Sequence, residues 1–238
     1  MEIENTNDLI GEAPVYVMGS ENDLGPIIRQ TYKNDTRSNV EEYNRVAKYA
    51  ERVKTLGYNC AYQNAKAIIE LNTPKDAKIM DVGVGTGFIG EYLAKAGYTD
   101  IFGIDGSPEM IMICQGKEHE GKKIYKELEV CLICVEPIKK QDKDYDVICA
   151  AGALLPGHIP NGCFELFHGY LKVGGYFINS AYADLQEPGH ECGYYEAMDP
   201  LIKQGKYKLV KKIDYLKWKG IDVSDTPIKE SPGATHIW

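Results

Sequence analysis

At 238 residues the chain suits one α/β domain with additional elements better than two full domains. A domain of this size buries enough apolar surface to need no disulfide or metal staple. The formal net charge of −8 argues against a broad surface for phosphate backbones, whose affinity comes largely from counterions displaced at Lys and Arg contacts. No nucleic-acid partner is expected, and Lys122-Lys123, Lys139-Lys140 and Lys211-Lys212 read as solvated faces. No apolar run approaches the roughly 20 residues that span a bilayer, and mean hydropathy is −0.34. The acidic N-terminus has neither the basic nor the apolar region of a secretory signal, so the expectation is a cytoplasmic protein that works away from the membrane, as a monomer or homodimer. Seven cysteines fall mostly in apolar segments and read as buried thiols. Cys131 and Cys134 make one CxxC, with no second pair or His cluster to complete a zinc site, so no metal is expected.

In chain order, residues 1–37 carry little periodicity and read as an N-terminal arm ahead of a single domain over 38–238. Ser38 opens Ser-Asn-Val-Glu, the spacing of a capping box in which Glu41 reaches back, and Val40–Leu56 is amphipathic up to Gly57. A second helix over Cys60–Leu71 places Ala61, Ala65, Ile68 and Ile69 on one face, and Thr73-Pro74 ends it. The pattern then alternates. Lys78–Val82 is a strand, Phe88–Ala96 a helix, Asp100–Ile104 a strand, and Pro108–Gln115 a helix capped by Ser107 with Pro108 at its first position. Lys122–Ile133 holds an extended segment, Tyr145–Ala150 a buried strand, Cys163–Leu171 a helix, and Gly174-Gly175 turns into the strand Tyr176–Ser180. This alternation implies a Rossmann-like, mostly parallel sheet covered on both faces. After Asp184 come a loop, a helix over Tyr194–Lys203, and two late strands, Tyr207–Trp218 and Ala234–Trp238, that suggest an antiparallel hairpin at one sheet edge.

The chemical signal is Asp81-Val82-Gly83-Val84-Gly85-Thr86-Gly87, between the first strand and its helix. Glycines there let the backbone turn tightly and approach a ligand, and the first helical turn offers unpaired N–H groups. A second strand ends in Asp105, where a carboxylate can accept from ribose hydroxyls, as in dinucleotide folds. A dinucleotide loop is GxGxxG, its third glycine lying beneath a pyrophosphate. Here that glycine comes one position early, at Gly87, and Phe88 follows. The loop therefore suits a nucleoside ligand without a pyrophosphate and points to S-adenosylmethionine (SAM), with NAD or FAD and no ligand as the alternatives.

The stretch IMDVGVGTGFIGEYLAKAGYTDIFGIDGSPEM resembles the first two motifs of class I SAM-dependent methyltransferases. YDVICAAGALLPGHIP, YLKVGGYF and EEYNRVAKYAERVKTLGY resemble the vertebrate methyltransferase-like protein 27 family. The similarity is close over Ser38 to Ser180 and loose beyond. It implies a seven-stranded, mostly parallel sheet with an antiparallel edge hairpin. It also implies N-terminal helices over 38–72 that lid the cofactor, a cofactor-binding core over 73–180, and substrate-side elements over 181–238. By the same resemblance, Gly83, Gly85 and Gly87 back the methionine part of the cofactor, Asp81 braces that end, Asp105 holds the ribose, and Ala150 to Gly152 lie where cofactor and acceptor meet. Two positions depart from the family pattern. Gly106 replaces an apolar residue that lies on the adenine, and Leu132 stands where an Asp commonly holds the adenine amino group. Backbone groups around Leu132 remain as readers of the adenine edge, and a looser adenine pocket is expected.

Methyl transfer is an SN2 displacement, so the protein mainly has to align an acceptor behind the methyl group. A hydroxyl acceptor needs a nearby base, whereas a neutral amine does not. His158 is the titratable side chain in its loop and is the candidate catalytic base or acceptor-orienting residue, against a packing role for the same ring. Tyr43 is a candidate on the cofactor side, and Tyr49 and Tyr182 on the substrate side, since tyrosine faces suit a sulfonium or an amine. The expected function is methyl transfer from SAM, yielding S-adenosylhomocysteine (SAH), to N or O of a small molecule. The alternatives are a degenerate relative that binds cofactor or a partner without turnover, a transferase using a related donor, and a protein acceptor.

Overall fold

The computed structural model describes residues 6–13, 35–44, 57–140, 142–217 and 232–238. Strands β1 (Lys78–Val82), β2 (Asp100–Asp105), β5 (Glu127–Val130), β6 (Tyr145–Ala151), β7 (Leu171–Tyr182), β8 (Lys211–Leu216) and β9 (Pro232–Ile237) form one sheet in the order β5-β2-β1-β6-β7-β9-β8. The pairs from β5 to β7 are parallel, and β9 lies antiparallel to both β7 and β8. β3 (Glu118–His119) and β4 (Lys122–Lys123) make a separate small hairpin.

The central strands are buried on both sides because helices cover both faces. Ile79, Ile101, Val147 and Ile178 share a core with Ala65, Ile68, Ile89 and Leu93, from the helices Cys60–Glu70 and Phe88–Lys95. Met80, Phe102, Ile148 and Phe177, one residue along each strand, point to the opposite core with Phe164, Phe167, Met198 and Leu201. Those come from the helices Cys163–His168 and Tyr194–Lys203. This period-two sorting makes the short apolar runs strands, since each sends neighbouring residues into different cores. Asn64, fully buried, ties its helix to the sheet by donating from Nδ2 to the carbonyls of Ala150 and Ile178 at 3.0 and 3.2 Å.

Several elements differ from their sequence expectations. The Lys122–Ile133 segment is broken: β4 ends at Lys123, and the chain re-enters the sheet at Glu127 as edge strand β5. β7 begins at Leu171 rather than Tyr176, across a register shift opposite Tyr145. There Gly175 passes so close to β6 that a Cβ would lie 2.9 Å from the Tyr145 carbonyl oxygen. The edge strand β8 is confined to Lys211–Leu216. Inside the segment read as an irregular arm, Thr6–Ile10 is helical, and Ile10 is buried in the core with Ala61 and Ile68.

The following helix runs Thr36–Asn44, and its cap is Asp35, whose Oδ1 accepts from the Ser38 N–H at 3.0 Å. Ser38 is thus the third helical residue and not the cap, because an aspartate three residues earlier offers a stronger acceptor at a helix N-terminus. The expected continuation of that helix beyond Asn44 lies outside the described residues. Ser107 caps as expected, its Oγ accepting from Met110 N–H at 3.2 Å. Five cysteines are buried, while Cys134 is exposed and Cys192 half-buried, so the reading of buried thiols holds for five of the seven and fails for these two.

Candidate active site

The carboxyl ends of β1, β2, β5 and β6 border a cleft whose fourth wall is the helix Thr36–Asn44. Measured out to its mouth, the space is about 1010 Å³, at the upper end of ordinary ligand pockets. The floor is the glycine loop, with φ of +67° at Gly83, +51° at Gly85 and +83° at Gly87. Gly83 and Val84 donate to the Ile104 carbonyl at 2.8 and 3.1 Å, which fastens the loop to β2. A Cβ on Gly83 would lie 2.6 Å from the Ala153 Cβ, so only glycine lets the loop after β6 close against this turn. Gly83 and Gly85 line the cleft. Gly87 does not: it begins the Phe88–Lys95 helix and backs onto Cys114 and Tyr125.

Two carboxylates stand beside the loop. Asp81 is 1% exposed and accepts from the Tyr125 hydroxyl at 2.8 Å. Burial pushes its carboxyl up to about 7, the nearby Asp105 adding to the shift and the Tyr125 bond opposing it. Asp105 accepts from Gly85 N–H through Oδ2 and from Ser107 N–H through Oδ1, both at 2.8 Å. Burial raises its carboxyl as well, against the bonds from Ser107, Gly85 and Gly106. A carboxylate has about four lone-pair sites, so both oxygens of Asp105 keep acceptor capacity toward the cleft. Thr86, in the same loop, has a buried hydroxyl with no partner and lines the cleft. A buried acidic pocket with an orphaned hydroxyl and a second acceptor-rich carboxylate fits a polar, cationic ligand that carries hydroxyls.

At the β5 end the two departures from the family pattern turn out to be reciprocal. A Cβ on Gly106 would lie 2.7 Å from Leu132 Cδ2 and 3.0 Å from Val40 Cγ2. Leu132 and Val40 occupy the volume that a side chain at 106 would need. The expectation of a looser pocket is therefore corrected, since an apolar wall is present and comes from other residues. Of the backbone groups around Leu132, its own two are engaged within the protein. Its N–H donates to Glu136 Oε2 at 3.2 Å, and its carbonyl accepts from Val135 and Glu136 N–H at 3.0 and 2.8 Å.

At the β6 end, His158 Nδ1 lies 2.9 Å from the Pro156 carbonyl oxygen and Nε2 lies 2.9 Å from Tyr43 Oη. A carbonyl can only accept, so Nδ1 carries the proton, and bare Nε2 accepts from the Tyr43 hydroxyl. Burial lowers the His158 pKa further, consistent with a neutral ring. Asn39 Nδ2 donates to the Gly157 carbonyl at 2.6 Å and Thr36 Oγ1 to the His158 carbonyl at 2.7 Å. Three side chains of one helix thus latch onto the loop after β6, across the cleft.

Of the predicted site residues, Tyr43, Asp81, Gly83, Gly85, Asp105, Gly106, Leu132 and His158 line one cleft. Ala150 is buried one residue short of it, with Ala151 and Gly152 on the lining. Tyr182 is not among the lining residues; the Lys217 ammonium sits 3.3 Å from its ring centre. Tyr49 lies outside the described residues. Residues the sequence reading missed include Thr36, Asn39, Val40 and Thr86 on the lining and Tyr125 behind Asp81. The misplaced helix cap hid the first two, and a threonine inside a GxGxG run was the one available sign of Thr86.

A methyltransferase-domain family profile matches residues 74–217, which is most of the chain. Methyltransferase-like protein 27 of Homo sapiens is 30% identical over 102 residues, 43% of this chain and 39% of that protein. The chain therefore matches less than half the length of this curated relative. Among solved structures, a TehB-like SAM-dependent methyltransferase from Corynebacterium glutamicum superposes with a TM-score of 0.55 at 20% identity, covering 85% of this chain and 98% of that one. The magnesium protoporphyrin IX methyltransferase of Synechocystis with bound SAM gives 0.54 at 14% identity, covering 90% and 97%. At such identities these two speak for the fold alone. Together with the profile, they establish that the chain belongs to the methyltransferase-domain family and carries a class I SAM-dependent methyltransferase domain.

Proposed function

We propose that the chain methylates a small molecule, with the donor lying along β1, β2 and β5 and the acceptor entering beside the Gly152–Ile159 loop. The observation that carries this reading is the single cleft that holds Asp81, the glycine loop and Asp105 at one side and the His158 loop at the other. Asp105 would hold the ribose hydroxyls. Asp81 would face the ammonium end, where a positive ligand compensates a carboxylate whose charge burial disfavours. Bound SAM would supply an electrophilic methyl group on a sulfonium.

This chain's own residues would do the rest. The Thr36–Asn44 helix would exclude water by closing on Gly157 and His158, and Gly83 would let Ala153 approach the donor site. His158 would orient the acceptor through Tyr43, while its Nε2 can receive a proton from a hydroxyl acceptor only by way of, or in place of, the Tyr43 hydroxyl. That arrangement favours an N-directed acceptor, which needs no base to reach its nucleophilic form. The test is formation of SAH from SAM by the purified chain, followed by mass spectrometry across fractions of a small-molecule extract. Turnover that depends on one fraction, with a mass gain of one methyl group in a component of it, is the expected result. Binding of SAM without turnover in any fraction would favour a cofactor-binding relative that does no chemistry.

A further inference from the structure

Among the described residues that line the cleft, two buried side-chain atoms have no hydrogen-bond partner, Thr86 Oγ1 and Asn39 Oδ1. A threonine hydroxyl can donate or accept, whereas an amide oxygen can only accept. Asn39 is 2% exposed, and the orientation of its amide is fixed. The Gly157 carbonyl, 2.6 Å away, can only accept, so Nδ2 faces it and Oδ1 turns elsewhere. That oxygen calls for a donor, and a buried acceptor left unpaired costs free energy. The other polar side chains of this helix on the lining have their protons committed. Thr36 Oγ1 donates to the His158 carbonyl, and Tyr43 Oη to His158 Nε2. The donor for Asn39 therefore comes from what fills the cleft.

The position of Asn39 narrows which part of an adenosyl ligand supplies it. The strands at the cleft run in the order β5-β2-β1-β6. With the ribose on Asp105 at the end of β2 and the acceptor beside the loop after β6, the amino-acid arm of the ligand passes Asp81 on β1. On the helix wall, Val40 stands over Gly106, just after β2, while its neighbour Asn39 is tied to Gly157, after β6. The Asn39 amide thus lies on the amino-acid side of the ribose. From this we infer that Asn39 Oδ1 accepts an N–H of the α-ammonium group of the methyl donor. A primary ammonium brings three donors and no acceptor, and Asp81, which already accepts from Tyr125, serves it from the floor while Asn39 serves it from the helix. One amide then reads the amino group through Oδ1 and holds the Gly157 loop through Nδ2.

The inference rests on the adenosyl reading given under Proposed function, and the experiment separates the two. Calorimetric titration of the full native chain and of Asn39→Ala measures Kd for SAH and for deamino-SAH, which keeps the base, ribose and carboxylate and lacks the amino group. The expected result is that the substitution weakens SAH by about tenfold or more beyond its effect on the deamino compound, as loss of a hydrogen bond to a charged group requires. A residue that only holds the Gly157 loop weakens both ligands equally. Equal losses, or no loss for SAH, overturn the inference and leave the adenosyl reading standing, since Oδ1 then meets water or the acceptor. Asn39→Leu, similar in size and without the amide, repeats the comparison if the alanine variant fails to fold. Failure of SAH to bind the native chain removes the reading beneath both.

Discussion

Asp81 is where the sequence and the structure say the most about one side chain. An acid two residues before a glycine turn marks a ligand loop from the sequence alone, but nothing in the sequence says that its carboxyl is fully enclosed. That enclosure comes in part from Tyr125 and Cys149, contributed by distant segments. In the folded chain the group titrates near 7 against an ordinary 3.8, so between those values the native state holds a proton that the unfolded chain has released. Without ligand, the Asp81 contribution favours folding most below the unfolded value and is lost as pH rises toward 7. Asp81→Asn is expected to flatten that decline in a urea-denaturation series taken from pH 4 to pH 8. A cationic ligand prefers the ionised form, so SAM affinity should rise with pH over the same interval and binding should expel a proton. Titration in buffers of different ionisation heat measures that proton. In Asp81→Asn the proton release should vanish and affinity should fall by roughly 10- to 100-fold, the range for a lost charged hydrogen bond. Proton uptake, or unchanged affinity in the variant, would place the ligand's charge elsewhere.

At the scale of elements, the Thr36–Asn44 helix shows what the sequence could and could not reveal. Its amphipathic character and Tyr43 were visible. Its register was not, since a Ser-Asn-Val-Glu string imitates a capping box while Asp35 does the capping. Its role comes from hydrogen bonds to residues more than a hundred positions away, at Gly157 and His158, and local periodicity carries no record of such partners. The buried Oδ1 of Asn39 has no partner, so it can accept from a donor in the cleft. Asn39→Ala should therefore accelerate hydrogen exchange of the amides in this helix by several-fold, about 1 kcal/mol for one lost bond, and leave the β1, β6 and β7 amides unchanged. SAH should slow exchange in the native helix more than in the variant. Equal protection in both proteins would make the helix a fixed part of the fold and not a closing wall. The motifs on β1 and β2 needed no such partners to be found. The glycine loop, Asp105 and the Ser107 cap are defined by neighbours within a few residues, and each stands where the sequence placed it.

At the scale of the whole molecule, alternation of strands and helices was enough to anticipate the parallel sheet and the antiparallel pair at its edge. It did not give the order in which β9 inserts between β7 and β8, because pairing across a long connection leaves no periodic trace. That order matters little for the cleft, which uses β5, β2, β1 and β6. The strand crossover between β1 and β6 puts the glycine loop and the Gly152–Ile159 loop on opposite sides of one crevice, as open α/β sheets do at a switch point. The central claim is that this crevice holds an adenosyl ligand without a pyrophosphate. Calorimetric titration of the purified chain with SAH and, separately, with NAD addresses it most directly. The account predicts saturable binding of one SAH per chain and no binding of NAD at the same concentrations. Absence of SAH binding, or NAD binding of equal strength, would contradict it.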